Sequence, residues 1–331
     1  MLAYTIRRFL YGLVVLWVVS ITAFIIIQLP PGDFLTSYIM RLETSGQIVD
    51  EAEIAALRKQ YGLDLPIHFQ YCKWVWKMLH GDFGKSFEWE RPVKELIAER
   101  LPLTVTLSIF TLVFTYLLAI PIGIYSASHQ YSIGDYTFTI FGFIGLATPG
   151  FLFALILMFV FYRFFGFSVG GLFSPQYQLA GWSWLKFLDL LKHLPVPVIV
   201  IGMAGTAGLI RVMRGCLLDE LRKQYVITAR AKGVPETKLL FKYPVRVAIN
   251  PIVSTIGWTL PGIVSGQTIV AIVLGLPTIG PLLFRALVNQ DMYLAGSSIM
   301  VLTFLTVIGT FISDILLVCL DPRISYEKQT K

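Results

Sequence analysis

Charge is scarce in this chain: 14% of its 331 side chains are Asp, Glu, Lys or Arg, against about a quarter in a soluble domain. That shortage excludes an ordinary water-soluble globule. Histidine is rarer still, and His68, His80, His129 and His193 are scattered without metal-ligand spacing, so no metal centre is expected. Cysteine amounts to Cys72, Cys216 and Cys319. The topology derived below puts one outside and two near the inner face, which excludes a disulfide framework within the chain. Repeats of 20 to 50 residues and low-complexity tracts are also missing, so one integral domain with one small external insertion is the simplest organisation.

What the chain does have is apolar length. Hydrophobic residues make up 56% and mean hydropathy is +0.71. Crossing about 30 Å of hydrocarbon at 1.5 Å per residue takes about 20 residues. Charge-free runs of that order are Phe9 to Leu29, Leu101 to Ser128 and Tyr136 to Tyr162, with a shorter run from Leu194 to Ile210 between His193 and Arg211. Val247 to Phe284 is too long for one helix and is expected to hold a fifth span plus an apolar re-entry or loop. Met292 to Leu320, broken only by Asp314, is the sixth. The expectation is an all-α integral membrane protein with six transmembrane helices. The first run follows Arg7 and Arg8 like a secretory signal, but it is longer than a signal core and no small-x-small site follows "IIIQLPPGD", so it reads as a retained helix.

The positive balance sorts by loop. Gly215 to Arg246 holds seven Lys or Arg and three acids, whereas Pro30 to Glu99 holds eight basic and eleven acidic residues. By the positive-inside rule the first segment and both termini are cytoplasmic and the second is extracytoplasmic. Within the latter, Ile54, Leu57 and Tyr61 recur at helical spacing, which predicts a short amphipathic helix closed by Gly62. The expected divisions are 1–29 for the first helix, 30–100 for the extracytoplasmic segment and 101–331 for the core, with a cytoplasmic loop at about 217–248.

Two motifs imitate enzymes. Gly84-Lys85-Ser86 in "HGDFGKSFE" ends like a phosphate-binding loop, but the position of its first glycine is Leu79, and no strand precedes it. "GFSVG", from Gly166 to Gly170, looks like a nucleophile elbow with Asp189 and His193 following, yet an elbow needs the acid and histidine delivered from separate strands of an α/β sheet. These two lie four residues apart on one segment. No catalytic residue is expected. Helix breakers inside apolar runs, among them Thr148-Pro149, Gly257, Pro261 and Gly262, free backbone groups and are candidates for a polar translocation path. Asp314 is a carboxylate within a span, two turns from its cytoplasmic end, suited to a structural hydrogen bond or to transport.

The segment "LLDELRKQYVITARAKGVPETKLLFKYPVRVAINP" is the most informative. Leu217 to Lys232 has helical character, Gly233 suits a helix end, and Pro235 with Glu236 suits the first turn of a second helix. Such a basic helix-turn-helix could dock a partner or rest on anionic lipid through Arg230, Lys232, Lys238 and Lys242.

"QYVITARAKG", together with "YTIRRFL", "PPGD", "YGLDLPIHFQY", "GDFGKS", "ERLPLTVTL", "IPIGIYSA" and "LDPRISY" in the same order, resembles the ABC importer permeases of the dipeptide, oligopeptide and nickel transport family, as the first of their two permease subunits. The resemblance covers essentially the whole chain. In the broader importer pattern a Glu-Ala-Ala triplet stands six residues before the glycine; here Ile227, Thr228 and Ala229 occupy it, without the glutamate, as is usual in the peptide-type branch. The resemblance implies a type I importer permease fold in a bacterial or archaeal cytoplasmic (inner) membrane. It implies as partners a second homologous permease, two cytoplasmic ABC ATPases and an extracytoplasmic solute-binding protein. ATP and Mg would sit on the ATPases and no cofactor on this chain. It places Thr228, Ala229, Arg230, Ala231, Lys232, Gly233, Pro235 and Glu236 at the contact that couples to the ATPase.

"PPGDF", without the proline that often follows "PGD" in peptide-type members, and "SVGGLFSPQY" depart from the pattern. They keep the solute open among dipeptide, oligopeptide, nickel chelate and oligosaccharide. A proton-coupled secondary transporter is the rival reading. It should show internal repeats and several paired intramembrane ionisable groups, and the sequence offers little beyond Asp314.

Overall fold

The computed structural model describes residues 2–28, 65–86, 88–166, 169–265 and 268–320. The amphipathic helix expected around Ile54, "PPGD", Ser168 of "GFSVG" and the "DPRISY" end lie outside them. The described residues are helical, without a strand. In chain order the helices are α1 Leu2–Gln28, α2 Ile67–Leu79, α3 Val93–Ser128, α4 Ile133–Ala147, α5 Gly150–Phe165, α6 Pro175–Gln178, α7 Trp184–His193 and α8 Pro195–Leu221. They continue with α9 Gln224–Ala231, α10 Glu236–Lys242, α11 Pro244–Ser254, α12 Ile256–Ser265, α13 Thr268–Val273, α14 Ile279–Val288 and α15 Met292–Leu320.

Two compact units form. One takes Leu2–Thr104 and Thr278–Leu305. In it α1 meets α2 through the Ser20 and Tyr71 hydroxyls, 2.8 Å apart, and through Phe24, whose ring lies against Tyr71 and Trp74. Leu96, Ile279, Leu282 and Leu294 complete this core. "GDFGKS" is a turn held against it. Gly81 and Gly84 both take φ of 78°, and the Gly84 N–H donates to Asp82 at 2.9 Å. The buried Ser86 hydroxyl donates to the buried Asp291 carboxylate at 2.5 Å. A side chain at Gly84 would meet the Tyr293 ring at 2.7 Å, so the glycine permits close packing here rather than wrapping a phosphate.

The second unit takes Val105–Pro277 and the chain from Thr306. Helix α8 is its centre, packed against α4, α5 and α11, with Ala119, Met213, Leu217, Val245 and Ile252 in its core.

Among the described residues, four helices are long and apolar enough to cross a membrane: Thr5–Gln28, Val93–Ser128, Pro195–Leu221 and Met292–Val318. The run read as one span from Tyr136 to Tyr162 is broken into α4 and α5, which bend by 106° at Thr148 and Pro149. Proline lacks the N–H that would continue the ladder and drives Thr148 to an extended ψ of 121°. Counted as one span, the pair makes five. The Val247 to Phe284 run is divided among α11, α12, α13 and α14, each too short to cross alone. The fourth run, expected to end at Ile210, continues for three more turns. Arg211 lies over the Phe143 ring at 5.4 Å, and Arg214 bonds Asp135 through two nitrogens at 3.2 and 3.0 Å. Charges with such partners extend a membrane helix that a charge-free criterion cuts short.

Candidate functional site

The Gly215 to Arg246 segment forms a small helix-turn-helix standing off the end of α8. The expected continuous helix from Leu217 to Lys232 is interrupted: Arg222 closes α8, and Lys223, with ψ of 148°, re-aims the chain before α9. At the far end of α9 the Val234 N–H donates to Ala229 O at 3.3 Å and the Gly233 N–H to Arg230 O at 3.0 Å. That pair of bonds satisfies carbonyls a helix end leaves open, and it requires a left-handed residue, met by Gly233 at φ 75°. Pro235 stands just outside α10 as its N-cap, rather than in the first turn, and Glu236 is the first helical residue.

Val226, Ala229 and Leu239 are buried against one another, with Val234 and Tyr243 packed on them. This small core fixes the angle between α9 and α10. Outside it the Arg230 guanidinium bonds both carboxylate oxygens of Glu236, at 2.5 and 3.2 Å, across the turn. The hydrogen bond holds the Glu236 carboxyl below its ordinary range and the Arg230 guanidinium above its own. Before α9, the Tyr225 hydroxyl donates to Glu220 at 2.5 Å. Burial and that carboxylate push the phenol above its ordinary range. Of the eight residues the sequence singled out, Thr228, Arg230, Ala231, Lys232, Gly233, Pro235 and Glu236 are exposed, clustered about the turn. Ala229 points into the core because it stands three residues from Val226. The tip therefore offers small residues and basic charge on a rigid frame, an arrangement suited to docking and lacking any activated nucleophile.

The path candidates are dispersed. Thr148 and Pro149 form the α4–α5 bend. Gly257 is buried, where an added Cβ would touch Ser313 at 3.4 Å, whereas Gly262 is exposed with nothing near it; Pro261 lies in α12. Flanking Gly257 is a hydroxyl cluster not singled out from sequence: Tyr116 bonds Thr255 at 2.7 Å and Thr259 at 3.4 Å. Threonines four apart on a helix share a face, which was the available signal. Asp314 is partly buried in α15. The imitation triad dissolves. Asp189 accepts from the Ser174 backbone and hydroxyl, both at 2.7 Å, and the nearest partner of His193 Nδ1 is the Asp189 carbonyl, at 2.8 Å. Burial would raise the Asp189 carboxyl, but the two Ser174 bonds, with His193 and Lys192, hold it below its ordinary range. Among the described residues no group of His, Cys, Asp and Glu could hold a metal.

Comparison with known proteins matches residues 119–326 to the family described as "Binding-protein-dependent transport system inner membrane component". Residues 1–108 match its companion, described as "Binding-prot-dependent transport system membrane comp, N-term". The chain is 35% identical to the oligopeptide transport system permease protein AppB of Bacillus subtilis, over 98% of this chain and 100% of that one. It is 31% identical to the inner membrane ABC transporter permease protein YejB of Escherichia coli O157:H7, over 98% and 99%. With the oligopeptide transport system permease protein OppB of Haemophilus influenzae it shares 28% identity, over 98% and 100%. None of these three names mentions an oligosaccharide, and nothing in the matches favours a proton-coupled secondary transporter. With apolar membrane helices and a family match over more than half its length, the chain belongs to the binding-protein-dependent transport system inner membrane components, the permease subunits of ABC importers.

Proposed function

We propose that this chain is the first of two permease subunits of an importer that carries peptide-like solutes across the cytoplasmic membrane. The second permease, two ATPases binding ATP and Mg, and an extracytoplasmic binding protein complete the complex. Peptide is favoured by the names of AppB and OppB. In this reading six crossings are made by α1, α3, the bent pair α4–α5, α8, the α11 to α13 run and α15, in a type I importer arrangement. Both termini and the 217–248 loop are cytoplasmic, 30–100 is extracytoplasmic, and 101–331 is the permease core. Seven basic against three acidic residues from Gly215 to Arg246 support that orientation.

The observation that carries the mechanism is the rigid, exposed turn. A two-helix frame locked by Val226, Ala229 and Leu239 transmits a push from its tip to α8 without deforming. Thr228, Arg230, Ala231, Lys232, Gly233, Pro235 and Glu236 meet a cleft in the ATPase, with Ala229 setting their frame. Closure of the ATPases on ATP moves the turn and, through α8, opens the cavity outward; hydrolysis resets it. The solute passes near Thr148, Pro149, Gly257, Pro261 and Gly262, where the Tyr116, Thr255 and Thr259 hydroxyls supply polar contacts.

Gly233→Asp tests this. The added side chain would protrude at the tip from a left-handed backbone position. Expected is a complex that still binds the loaded solute receptor while ATP-driven uptake into proteoliposomes is abolished; unchanged uptake would sink the assignment. Wild-type chain should co-purify with a second permease and two ATPases, and uptake should cease without ATP.

A further inference from the structure

Helix α7 is inside out. Its inward face carries Lys186, Asp189 and His193 with Leu190, and its outward face carries Trp184, Leu185, Phe187 and Leu188, with Lys192 also exposed on it in the last turn. Lys186 is 7% exposed and Leu190 2%, whereas Trp184, Leu185 and Leu188 are 70%, 61% and 44% exposed. Residues 186, 190 and 193 share one side of a 3.6-residue helix and 184, 185 and 188 the other, so the division is a property of whole faces.

The inward polar groups have partners within the segment. The Lys186 ammonium donates to the Ala180 carbonyl at 2.5 Å and lies 4.8 and 5.5 Å from the centres of the Phe173 and Trp182 rings. Asp189 takes both bonds from Ser174. In water this arrangement is wasteful, because the charged groups would be better solvated outside and the apolar ones hidden. Next to hydrocarbon it is the stable choice, since polar groups must be satisfied internally and apolar ones cost nothing outside.

The chain's course gives the depth. One residue, Leu194, separates α7 from Pro195, the start of the membrane helix α8, and α5 ends at Phe165 with Phe164 and Phe165 also exposed. Segment 166–194 thus begins and ends at one boundary of the membrane, at the opposite end of α8 from the 224–242 turn. Trp182 and Trp184 sit there, the side chains that prefer the headgroup level. A solute receptor that docks and departs would leave this face bare to water in each cycle, whereas lipid covers it throughout.

We infer that the outward face of α7, with Trp182, is a lipid-contacting interfacial helix seated in the leaflet opposite the 224–242 turn. The inference rests on membership of the membrane family and not on the proposed solute or coupling. The probe is a nitroxide at Leu185→Cys or Leu188→Cys, in a chain with Cys72, Cys216 and Cys319 replaced by serine. The assembled complex is placed in phosphatidylethanolamine/phosphatidylglycerol nanodiscs, with Lys238→Cys as the water-facing control. Expected is a several-fold excess of collisions with oxygen over those with chromium oxalate at 185 and 188, and the reverse at 238. Chromium oxalate reaching 185 and 188 as readily as 238 overturns the inference in favour of a water-facing surface for the receptor. Immobile labels shielded from both reagents overturn it in favour of a protein interface such as the second permease. The unmutated complex gives an independent reading. A phospholipid with a diazirine in its acyl chain should mark peptides spanning 182–188, and unmarked peptides there count against the inference.

Discussion

At one end of α8 the chain folds Val226, Ala229 and Leu239 inward and leaves Arg230, Lys232 and Glu236 in the open; at the other it folds Lys186, Asp189 and His193 inward and leaves Trp184, Leu185 and Leu188 in the open. Both insertions are short helices joined to the same long one, and both are amphipathic. Periodicity says which residues share a face, but the medium decides which face turns outward. In water, exposed apolar surface costs about 25 cal/mol per Å², while against lipid it is the buried unpaired polar group that is costly. The two ends of α8 therefore report two environments through one rule.

Charge placed on the wrong face should break each insertion in its own way, and the 224–242 turn should suffer more. Leu239 is fully buried in a core of three residues, so Leu239→Asp puts an unpaired carboxylate where no neighbour can answer it. The expected result is loss of ATP-driven uptake and faster tryptic cleavage after Lys232 and Lys238, both measurable in the intact complex. Lys238→Asp, on the exposed face of the same α10, removes one of these two sites and should leave cleavage after Lys232 unchanged. The mirror experiment is Leu188→Asp, on the outward face of α7. If that face meets lipid, the charge costs up to about 3 kcal/mol, and less near the headgroups, read as reduced recovery of assembled complex from the membrane. A face in water would show no such loss.

A smaller effect tests the inward polar network of the 166–194 segment. Asp189→Ala leaves the Ser174 N–H and hydroxyl without their acceptor, a cost of about 1–3 kcal/mol. Hydrogen exchange at Ser174 to Gln178 should accelerate, while exchange in α9 stays the same. Asp189→Asn, which keeps one acceptor oxygen, should fall between. Acid should weaken the same contacts. The Asp189 carboxyl titrates below its ordinary range in the fold, so its contribution is complete above that range and is lost only as pH falls through the lowered value.

These contrasts also explain what was legible in the sequence. The membrane class and the long helices followed from charge-free runs, because hydrocarbon thickness fixes their length. Gly233 and Pro235 marked the turn because left-handed backbone and a missing N–H are properties of those residues themselves. The break at Arg222 and Lys223 carries no such mark; it accompanies a side-chain bond that spans it, from Tyr225 to Glu220. The end of α8 was misplaced because Arg211 closes the charge-free run, whereas the Phe143 ring beneath Arg211 and the Asp135 carboxylate that pairs with Arg214, 79 residues away, are remote in sequence. The inversion of α7 was equally hidden, since Lys186, Asp189 and His193 have the spacing of a solvated stripe. Only their bonds to Ala180 and Ser174 show that the stripe faces in. The bend at Thr148 and Pro149 lay in plain view as a breaker, but its 106° angle depends on packing that no local pattern encodes.

The smallest effect belongs to the most conspicuous contact of the cytoplasmic turn, the pair of bonds from Arg230 to Glu236. Both side chains are about half exposed or more, and water and salt compete for such ions, so the turn should hold its shape without them. Glu236 titrates below the ordinary carboxylate range of about 4.3. Any stabilisation it provides is complete at neutral pH, unchanged between about pH 5 and 8, and lost only as pH falls through the lowered value. Glu236→Gln should thus alter hydrogen exchange across Lys232 to Glu236 slightly at low ionic strength and not at all in high salt, and Arg230→Gln in that background should add nothing further. An equally small loss of uptake in both variants would mean that the frame set by Val226, Ala229 and Leu239 carries the push. A large loss with Arg230→Gln but not with Glu236→Gln would instead make the guanidinium's own contact with the ATPase cleft decisive, and the bond to Glu236 its resting position between strokes.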